Sequence, residues 1–287
     1  MIKVLGLALI SLLPNSLVLA DPASIIPTPI TKVTWHGHAA FEITTPKGKS
    51  LWIDPWLKNP VNPAAQGGKN PVNLVKKADF ILITHGHSDH VGDAVELAQK
   101  THARLITNYE LADAMVRVSG YPKAQVGLDT AINAGGEITI LDGEVMVAMT
   151  PAVHSSGLDN PHAGPKDAKQ VYGGSAGGFI LKIKNGPTIY DTGDTAYFKD
   201  MEVIGETYHP DLALLNIGGH FGMSPEMAVR AAKAVQAKVV VPHHFKTFPI
   251  LTPDAAPFFK LLDAQGIEHV EMLPGSTISY EGNQLKK

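Results

Sequence analysis

Cysteine is absent from all 287 residues. That excludes disulfides, every thiolate zinc site and a lipid-attachment cysteine near residue 20. Any metal must therefore sit on histidine and carboxylate. No block of Lys and Arg occurs, and the formal net charge is −3. Nucleic acid is not the expected partner, because phosphate binding needs clustered cations. There is no internal repeat and no apolar run long enough to span a bilayer. The longest such run, Val4 to Leu13, lies at the N-terminus behind Lys3. Pro14-Asn15 breaks it, and Val18-Leu19-Ala20 places small residues where a signal peptidase reads. Residues 1–20 are expected to be a signal peptide cleaved before Asp21, leaving residues 21–287 as one exported domain, periplasmic or secreted, with no membrane segment.

What the chain does have is histidine, thirteen in all, and their grouping matters more than their number. Thr84-His85-Gly86-His87-Ser88-Asp89-His90 is an H-x-H-x-D-H cluster that follows the apolar run Phe80 to Ile83. One short loop with four ligands can serve two neighbouring ions, and two-metal sites commonly perform hydrolysis. Three histidines and an aspartate in six residues at a strand end have no ordinary packing explanation.

The chain pattern supplies a scaffold. Strands are predicted at Ile30 to Trp35, Ala40 to Thr44, Leu51 to Asp54 and Phe80 to Thr84, with 59–73 a surface loop. Ala94, Leu97 and Ala98 share a helix face, Arg104 to Thr107 is a strand, and Tyr109 to Val118 a helix. Hairpins are expected around Asp142-Gly143 and Asn185-Gly186, separated by a long loop over 155–178. Leu212 to Ile217 and Lys238 to Val241 read as strands. Ser224-Pro225 should cap one helix and Thr252-Pro253 start another, with Gly266 as its stop. Two halves of similar plan suggest two packed sheets with helices outside.

A loop of this kind cannot complete two metal sites alone. The other candidates each follow a predicted strand: His154, Asp194, and the pair His243 and His244. The residues alone do not choose between His243 and His244. The glycine run over 172–178 could cradle a phosphate, or simply let the backbone pass close to the site.

With these motifs the chain resembles the metallo-β-lactamase superfamily, and within it a lactonase-like branch of metal-dependent hydrolases to which ascorbate-6-phosphate lactonase and N-acylphosphatidylethanolamine phospholipase D are related. The resemblance is carried by Gly37-His38, Ile53-Asp54-Pro55, Thr84 to Asp93, Ala152 to Ser155, Gly193-Asp194-Thr195, Ile217-Gly218-Gly219 with Met223, and Pro242 to Phe245. It implies an α/β fold, a single-domain αββα four-layer sandwich with the site at one edge. It implies that His85, His87 and His154 bind one metal, that Asp89, His90 and a late histidine bind the second, and that Asp194 bridges. The family pattern Pro, any residue, His, aromatic selects His244, with His243 at the variable position. Asp54 resembles an aspartate that orients the site from behind, while His38 and His220 stand as supporting or substrate-contacting candidates. Asp89 and Asp194 would be the catalytic carboxylates.

The cofactor expected is two divalent ions, zinc with manganese or iron as alternatives. The reaction expected is attack by an activated hydroxide on an ester, lactone or phosphoester of a small molecule. The absent cysteine and the available Asp194 argue against penicillin-type substrates. The alternative is a diiron redox or metal-binding protein on the same scaffold, for which the chain offers no flavin or thiol partner. The residues do not indicate an oligomeric state.

Overall fold

The computed structural model describes Ile2 and residues 29–286. The expected leader and its cleavage point at Asp21 lie, apart from Ile2, outside the described residues. Among the described residues no helix is long and apolar enough to cross a membrane.

In chain order the first half runs β1 (Ile30–Trp35), β2 (Phe41–Thr44), β3 (Ser50–Ile53), β4 (Phe80–Leu82), α1 (Ser88–Val91), α2 (Ala94–Thr101), β5 (Arg104–Ile106) and α3 (Tyr109–Ala114). The second half runs β6 (Glu137–Ile140), β7 (Val145–Pro151), β8 (Gly157–Asp159), β9 (Gln170–Tyr172), β10 (Gly177–Ile183), β11 (Thr188–Asp191), α4 (Met201–Tyr208), β12 (Leu212–Asn216), α5 (Pro225–Val235), β13 (Val239–His243), α6 (Ala256–Asp263), β14 (Thr277–Glu281) and β15 (Gln284–Lys286).

Two sheets form, one seven-stranded in the order β15-β14-β1-β2-β3-β4-β5, the other six-stranded in the order β13-β12-β11-β10-β7-β6. Their facing sides interdigitate: Val33, Phe41 and Ile43 of the first meet Val147, Phe179, Leu214 and Val241 of the second in one buried cluster. The outer face of the first sheet is covered by α2 and α3 through Ile81, Leu97, Leu105 and Leu111. The outer face of the second is covered by α4, α5 and α6 through Ile180, Ala213, Val235 and Phe258. This is the expected αββα sandwich.

Each sheet is antiparallel on one side and parallel on the other. β3, β4 and β5 run parallel, as do β11, β12 and β13. Parallel strands are covered on both faces, and β4, β12 and β13 are accordingly buried at every position. Ligands in such sheets gather beyond the carboxyl ends of the parallel strands. Asp54, the 84–90 loop, Asp194 and His244 lie just past such ends, and Asn216 is the last residue of β12.

Local chemistry explains where elements begin and stop. Ser224 caps α5 by accepting the Met227 N–H, with Pro225 in the first turn and Ala228, Ala231, Ala232 and Val235 buried. The helix expected from Thr252-Pro253 starts later, at Ala256. Thr252 is occupied elsewhere: its Oγ1 donates to Ile217 O at 2.6 Å and its N–H to Gly218 O at 2.9 Å. Asp254 Oδ1 accepts the Ala256 N–H at 2.9 Å instead. The helix expected over 109–118 is α-helical only to Ala114, then widens into a π turn over Met115–Ser119 before the left-handed Gly120. The 155–178 segment is not all loop, because β8 and β9 pair as a small hairpin. The 59–73 segment holds 3-10 turns at Pro63–Gly68 and Pro71–Leu74.

α4 and the β14–β15 hairpin had no clear sequence signal. α4 carries Gly205 in its middle, which weakens a helix pattern. A Cβ at Gly205 would lie 2.6 Å from Val235 O, so this glycine permits α4 to pack tightly on the end of α5.

Candidate metal centre

The 84–90 segment leaves β4 extended. Thr107 Oγ1 donates to Ile83 O at 2.7 Å and holds the end of the strand. α1 then turns Asp89 and His90 back towards His85. Four distant segments bring in the rest: His154 after β7, Asp194 after β11, His244 after β13 and His38 after β1.

Three imidazole nitrogens converge at one point. His87 Nδ1 lies 3.0 Å from His85 Nε2 and 3.3 Å from His154 Nε2. Burial lowers the pKa of all three rings, most strongly that of the fully buried His85. Neutral lone pairs crowded at this distance repel unless a proton or cation sits among them. A second group is made by His38, Asp89, His90 and His244. Between the groups lies Asp194, whose Oδ2 is 3.0 Å from His244 Nε2, 3.4 Å from His90 Nε2 and 3.7 Å from His154 Nε2. The ring nitrogens His90 Nε2 and His244 Nε2 are buried and have no hydrogen-bond partner.

The charges are balanced by protons where cations would fit. Burial alone would raise Asp194, yet His244 and His90 hold it well below the usual carboxylate range. Burial alone would likewise raise Asp89, and the His244 ring beside it together with the hydrogen bond from His38 reverses the direction. Burial works against charge on His244, but Asp194 and Asp89 raise it to about 9. Asp194 and Asp54 do the same for His90, which ends well above its ordinary value. A divalent ion would take the place of those protons, as metal binding at His and carboxylate sites requires. The donor set of imidazole and carboxylate suits zinc, manganese or iron.

A layer behind the site fixes which nitrogen of each ring faces inward. Asp54 is fully buried, with Oδ1 accepting the Thr84 N–H at 2.9 Å and Oδ2 accepting the Thr84 hydroxyl at 2.6 Å. Asp54 Oδ2 also accepts from His90 Nδ1 at 2.7 Å. Because the Thr84 proton goes to Asp54, its oxygen is left to accept from His85 Nδ1 at 3.0 Å. Both rings are thereby held with Nε2 towards the centre, the usual second layer of a metal-binding histidine. Asn216 Nδ2 donates to Asp194 Oδ1 at 3.1 Å while its Oδ1 accepts the Met223 N–H. His38 is neutral, its pKa lowered to about 4 by burial and by His244. It therefore donates from Nε2 to Asp89 Oδ2 at 3.0 Å and accepts at Nδ1 from Thr247 Oγ1 at 2.5 Å.

The structure separates the two late histidines. His243 ends β13 and points inward, edge-on to Phe41 at 5.8 Å, with both ring nitrogens unpartnered. His244 takes a left-handed φ of 60° that swings its ring to the site. His220 is exposed, its ring against Phe221, and Phe221 rather than His220 lines the pocket over the centre. His102 and His209 are left-handed helix caps, and His36 stacks on Trp52. Thr84, Asn216 and Thr247 escaped sequence reasoning as supporting residues. A signal existed for Asn216, a polar residue within an otherwise apolar buried strand.

Gly193 lets the chain turn between Asp191 and Asp194. Its φ is +55°, and a Cβ there would stand 2.7 Å from Gly177 O and 2.8 Å from Thr84 Cβ. Gly193→Ala should cost more than about 1 kcal/mol of stability, measured as a lower denaturation midpoint. An unchanged midpoint would show that the turn relaxes freely.

Asp191 is buried behind the centre, and burial with the Asp54 charge beside it raises its carboxyl to about 8. The folded state thus holds this proton where the unfolded chain has lost it. Its contribution is fully present below the unfolded value near 4 and disappears as pH rises through about 8. In metal-stripped protein, the stability of Asp191→Asn relative to the parent should rise between pH 4 and pH 8, as read by urea midpoints. A constant difference would refute the buried proton.

Residues 50–245 match the family model described as a beta-lactamase superfamily domain. A UPF0173 metal-dependent hydrolase of Thermodesulfovibrio yellowstonii is 46% identical over 253 residues, covering 88% of this chain and 92% of that protein. Another from Anaeromyxobacter dehalogenans is 49% identical over 230 residues, covering 78% of each. Among solved structures, Igni18, a metallo hydrolase of Ignicoccus hospitalis, superposes with a TM-score of 0.73 at 33% identity over 88% of this chain and 99% of its own. An isothiocyanate hydrolase from Delia radicum gut bacteria shares the fold, with a TM-score of 0.64 at 22% identity over 87% of this chain and 99% of its own. On the matched family model and these relatives, the chain belongs to the metallo-β-lactamase superfamily and is a metal-dependent hydrolase of the UPF0173 group.

Proposed function

We propose that the chain is a two-metal hydrolase, exported from the cytoplasm, that cleaves an ester, lactone or phosphoester of a small molecule. The observation that carries the reading is the convergence of His85 Nε2, His87 Nδ1 and His154 Nε2 beside Asp194 Oδ2. In this reading His85, His87 and His154 hold the first ion, Asp89, His90 and His244 hold the second, and Asp194 bridges. Zinc fits the donor set, with manganese and iron as the other occupants. Bound there, two ions would lower the pKa of a water towards neutrality and polarise the oxygen of the bond attacked.

The remaining work falls to the chain. Asp54 and Thr84 keep His90 and His85 in the productive tautomer. Asn216 aims Asp194 by holding its other oxygen. Asp89 Oδ2, next to His244 and hydrogen-bonded by His38, is placed to hold the proton given up by the nucleophile. The β8–β9 hairpin and the loops bearing Phe221 and Phe248 wall the site and narrow the access of bulk water.

The test compares metal-stripped and zinc-reconstituted protein on a panel of esters, lactones and phosphoesters. Hydrolysis should vanish on chelation and return with zinc. Protein purified full of iron, consuming oxygen and cleaving no panel member, would instead establish the diiron redox alternative. For export, the mature protein recovered from outside the cytoplasm should begin at Asp21.

A further inference from the structure

The pocket above the centre has a volume of about 390 Å³ and a distinctive wall. Asp159 and Gln170 stand on one side, hydrogen-bonded to each other at 2.9 Å, and Phe221 and Phe248 on the other. A second lobe of about 590 Å³ shares His87, His154, Ser155 and Gln170 with the first and is otherwise walled by small residues and Tyr172. Among the described residues lining both lobes there is no Lys or Arg. Apart from histidine, every ionisable side chain that carries charge there is acidic: Asp89, Asp159 and Asp194.

This distribution discriminates between substrate classes. A phosphodiester keeps a negative charge and a phosphomonoester up to two. Sites built for them place Arg, Lys or backbone donors around the oxygens that the metals do not hold. Here the walls of both lobes offer such oxygens no cationic side chain of Lys or Arg, and the charged residue of the outer wall, Asp159, is acidic. A carboxylic ester or lactone brings no charge and meets no such penalty. The aromatic residues point the same way. Phe221 is 56% exposed, Phe248 38% and Tyr172 69%, all at the mouth of the site. Phe248 is held in place by stacking on Trp56 at 5.6 Å. Fixed aromatic faces open to water at a pocket mouth are surfaces for an apolar ligand.

We infer that the substrate is an uncharged carboxylic ester or lactone carrying an aromatic or similarly apolar group, seated with that group against Phe248 and Phe221. The inference rests on the hydrolase reading above. In the reaction, the oxygen of water bonds to the carbonyl carbon as the carbon–oxygen bond to the alkoxy group breaks. One water proton ends on the departing alkoxide, giving alcohol and carboxylate with a proton released, and no oxidant or reductant takes part.

The test uses zinc-loaded full-length protein and three compounds with one leaving group: 4-nitrophenyl benzoate, 4-nitrophenyl acetate and bis(4-nitrophenyl) phosphate. Each kcat/KM is divided by the uncatalysed rate constant, so that the intrinsic lability of esters does not decide the result. The benzoate should show the largest acceleration. Phe248→Ala should raise KM for the benzoate about tenfold more than it raises that for the acetate. Asp159→Lys should raise kcat/KM for the phosphodiester about tenfold relative to the benzoate. Calorimetric binding of phenylphosphonate should tighten in Asp159→Lys, a readout independent of turnover. The inference is overturned by an acceleration of the phosphodiester that equals or exceeds that of the benzoate, by equal losses on acetate and benzoate in Phe248→Ala, or by an Asp159→Lys variant that leaves the phosphodiester and phosphonate unchanged. No turnover of any of the three compounds would overturn the hydrolase reading itself.

Discussion

Asp194→Ala should reduce hydrolysis by about 10³-fold or more and lower the bound metal below two ions per chain. Its Oδ2 is the atom within reach of His90, His154 and His244 together. Removing it would take a negative charge from between the two proposed cations and leave their mutual repulsion less offset. A metal centre is worth several kcal/mol of transition-state stabilisation, which converts to that factor in rate. The loss should appear in metal content and turnover together. Asn216 would also lose its Oδ1 partner on Asp194, a smaller cost of about 1 kcal/mol. Asp194→Asn separates the effects, since it keeps the size and one acceptor while removing the charge. Metal retention at two ions with full activity in either variant would show that Asp194 does not bridge.

Asp54→Asn should weaken metal binding about 10- to 100-fold although Asp54 need touch no ion. The carboxylate accepts from Thr84 N, Thr84 Oγ1 and His90 Nδ1. An amide has one acceptor oxygen for these three donors. With that oxygen kept by the Thr84 N–H, the amide NH₂ faces His90 Nδ1. The ring can then pair only by moving its proton to Nε2, the nitrogen that must be free to hold a cation. Thr84 loses its acceptor in the same change, so the tautomer of His85 is no longer enforced. The left-handed φ of 42° at Asp54 is one that Asn tolerates, so the fold should persist. Metal titrations should therefore show reduced affinity with little change in the circular dichroism spectrum. Unaltered affinity would mean that the rings are held by the ions rather than by Asp54.

The parts of this site that sequence reveals are the local ones. His85, His87, Asp89 and His90 are readable because one strand end and one turn of helix bring them together. His154 and Asp194 are readable as side chains just past predicted strands, where a rigid scaffold presents its loops. The choice between His243 and His244 is different. Adjacent residues at a strand end face opposite ways, and the left-handed turn at His244 that decides the matter has no local signal. Thr84, Asn216 and Thr247 owe their roles to partners 30, 22 and 209 residues away, the first two brought alongside by parallel strand pairing within a sheet and the third by the packing of one sheet on the other. The β8–β9 hairpin is hidden because its strands have three residues each, set among Gly, Ser and Pro. α6 begins late because Thr252 is engaged by Ile217 and Gly218, a tertiary contact that overrides a good local cap. The sandwich itself was legible, since alternating apolar runs and helical faces needed only the rule that each must be covered.

A centre for two ions, one on His85, His87 and His154 and one on Asp89, His90 and His244 with Asp194 between, has a stoichiometry that zinc titration of metal-stripped protein reads, following bound metal and hydrolysis together. Binding should saturate at two ions per chain, and full activity should need the second equivalent. In His87→Ala, binding should saturate at one ion. Saturation at a single ion with full activity in the parent protein, or two ions still bound in His87→Ala, would contradict the two-ion centre.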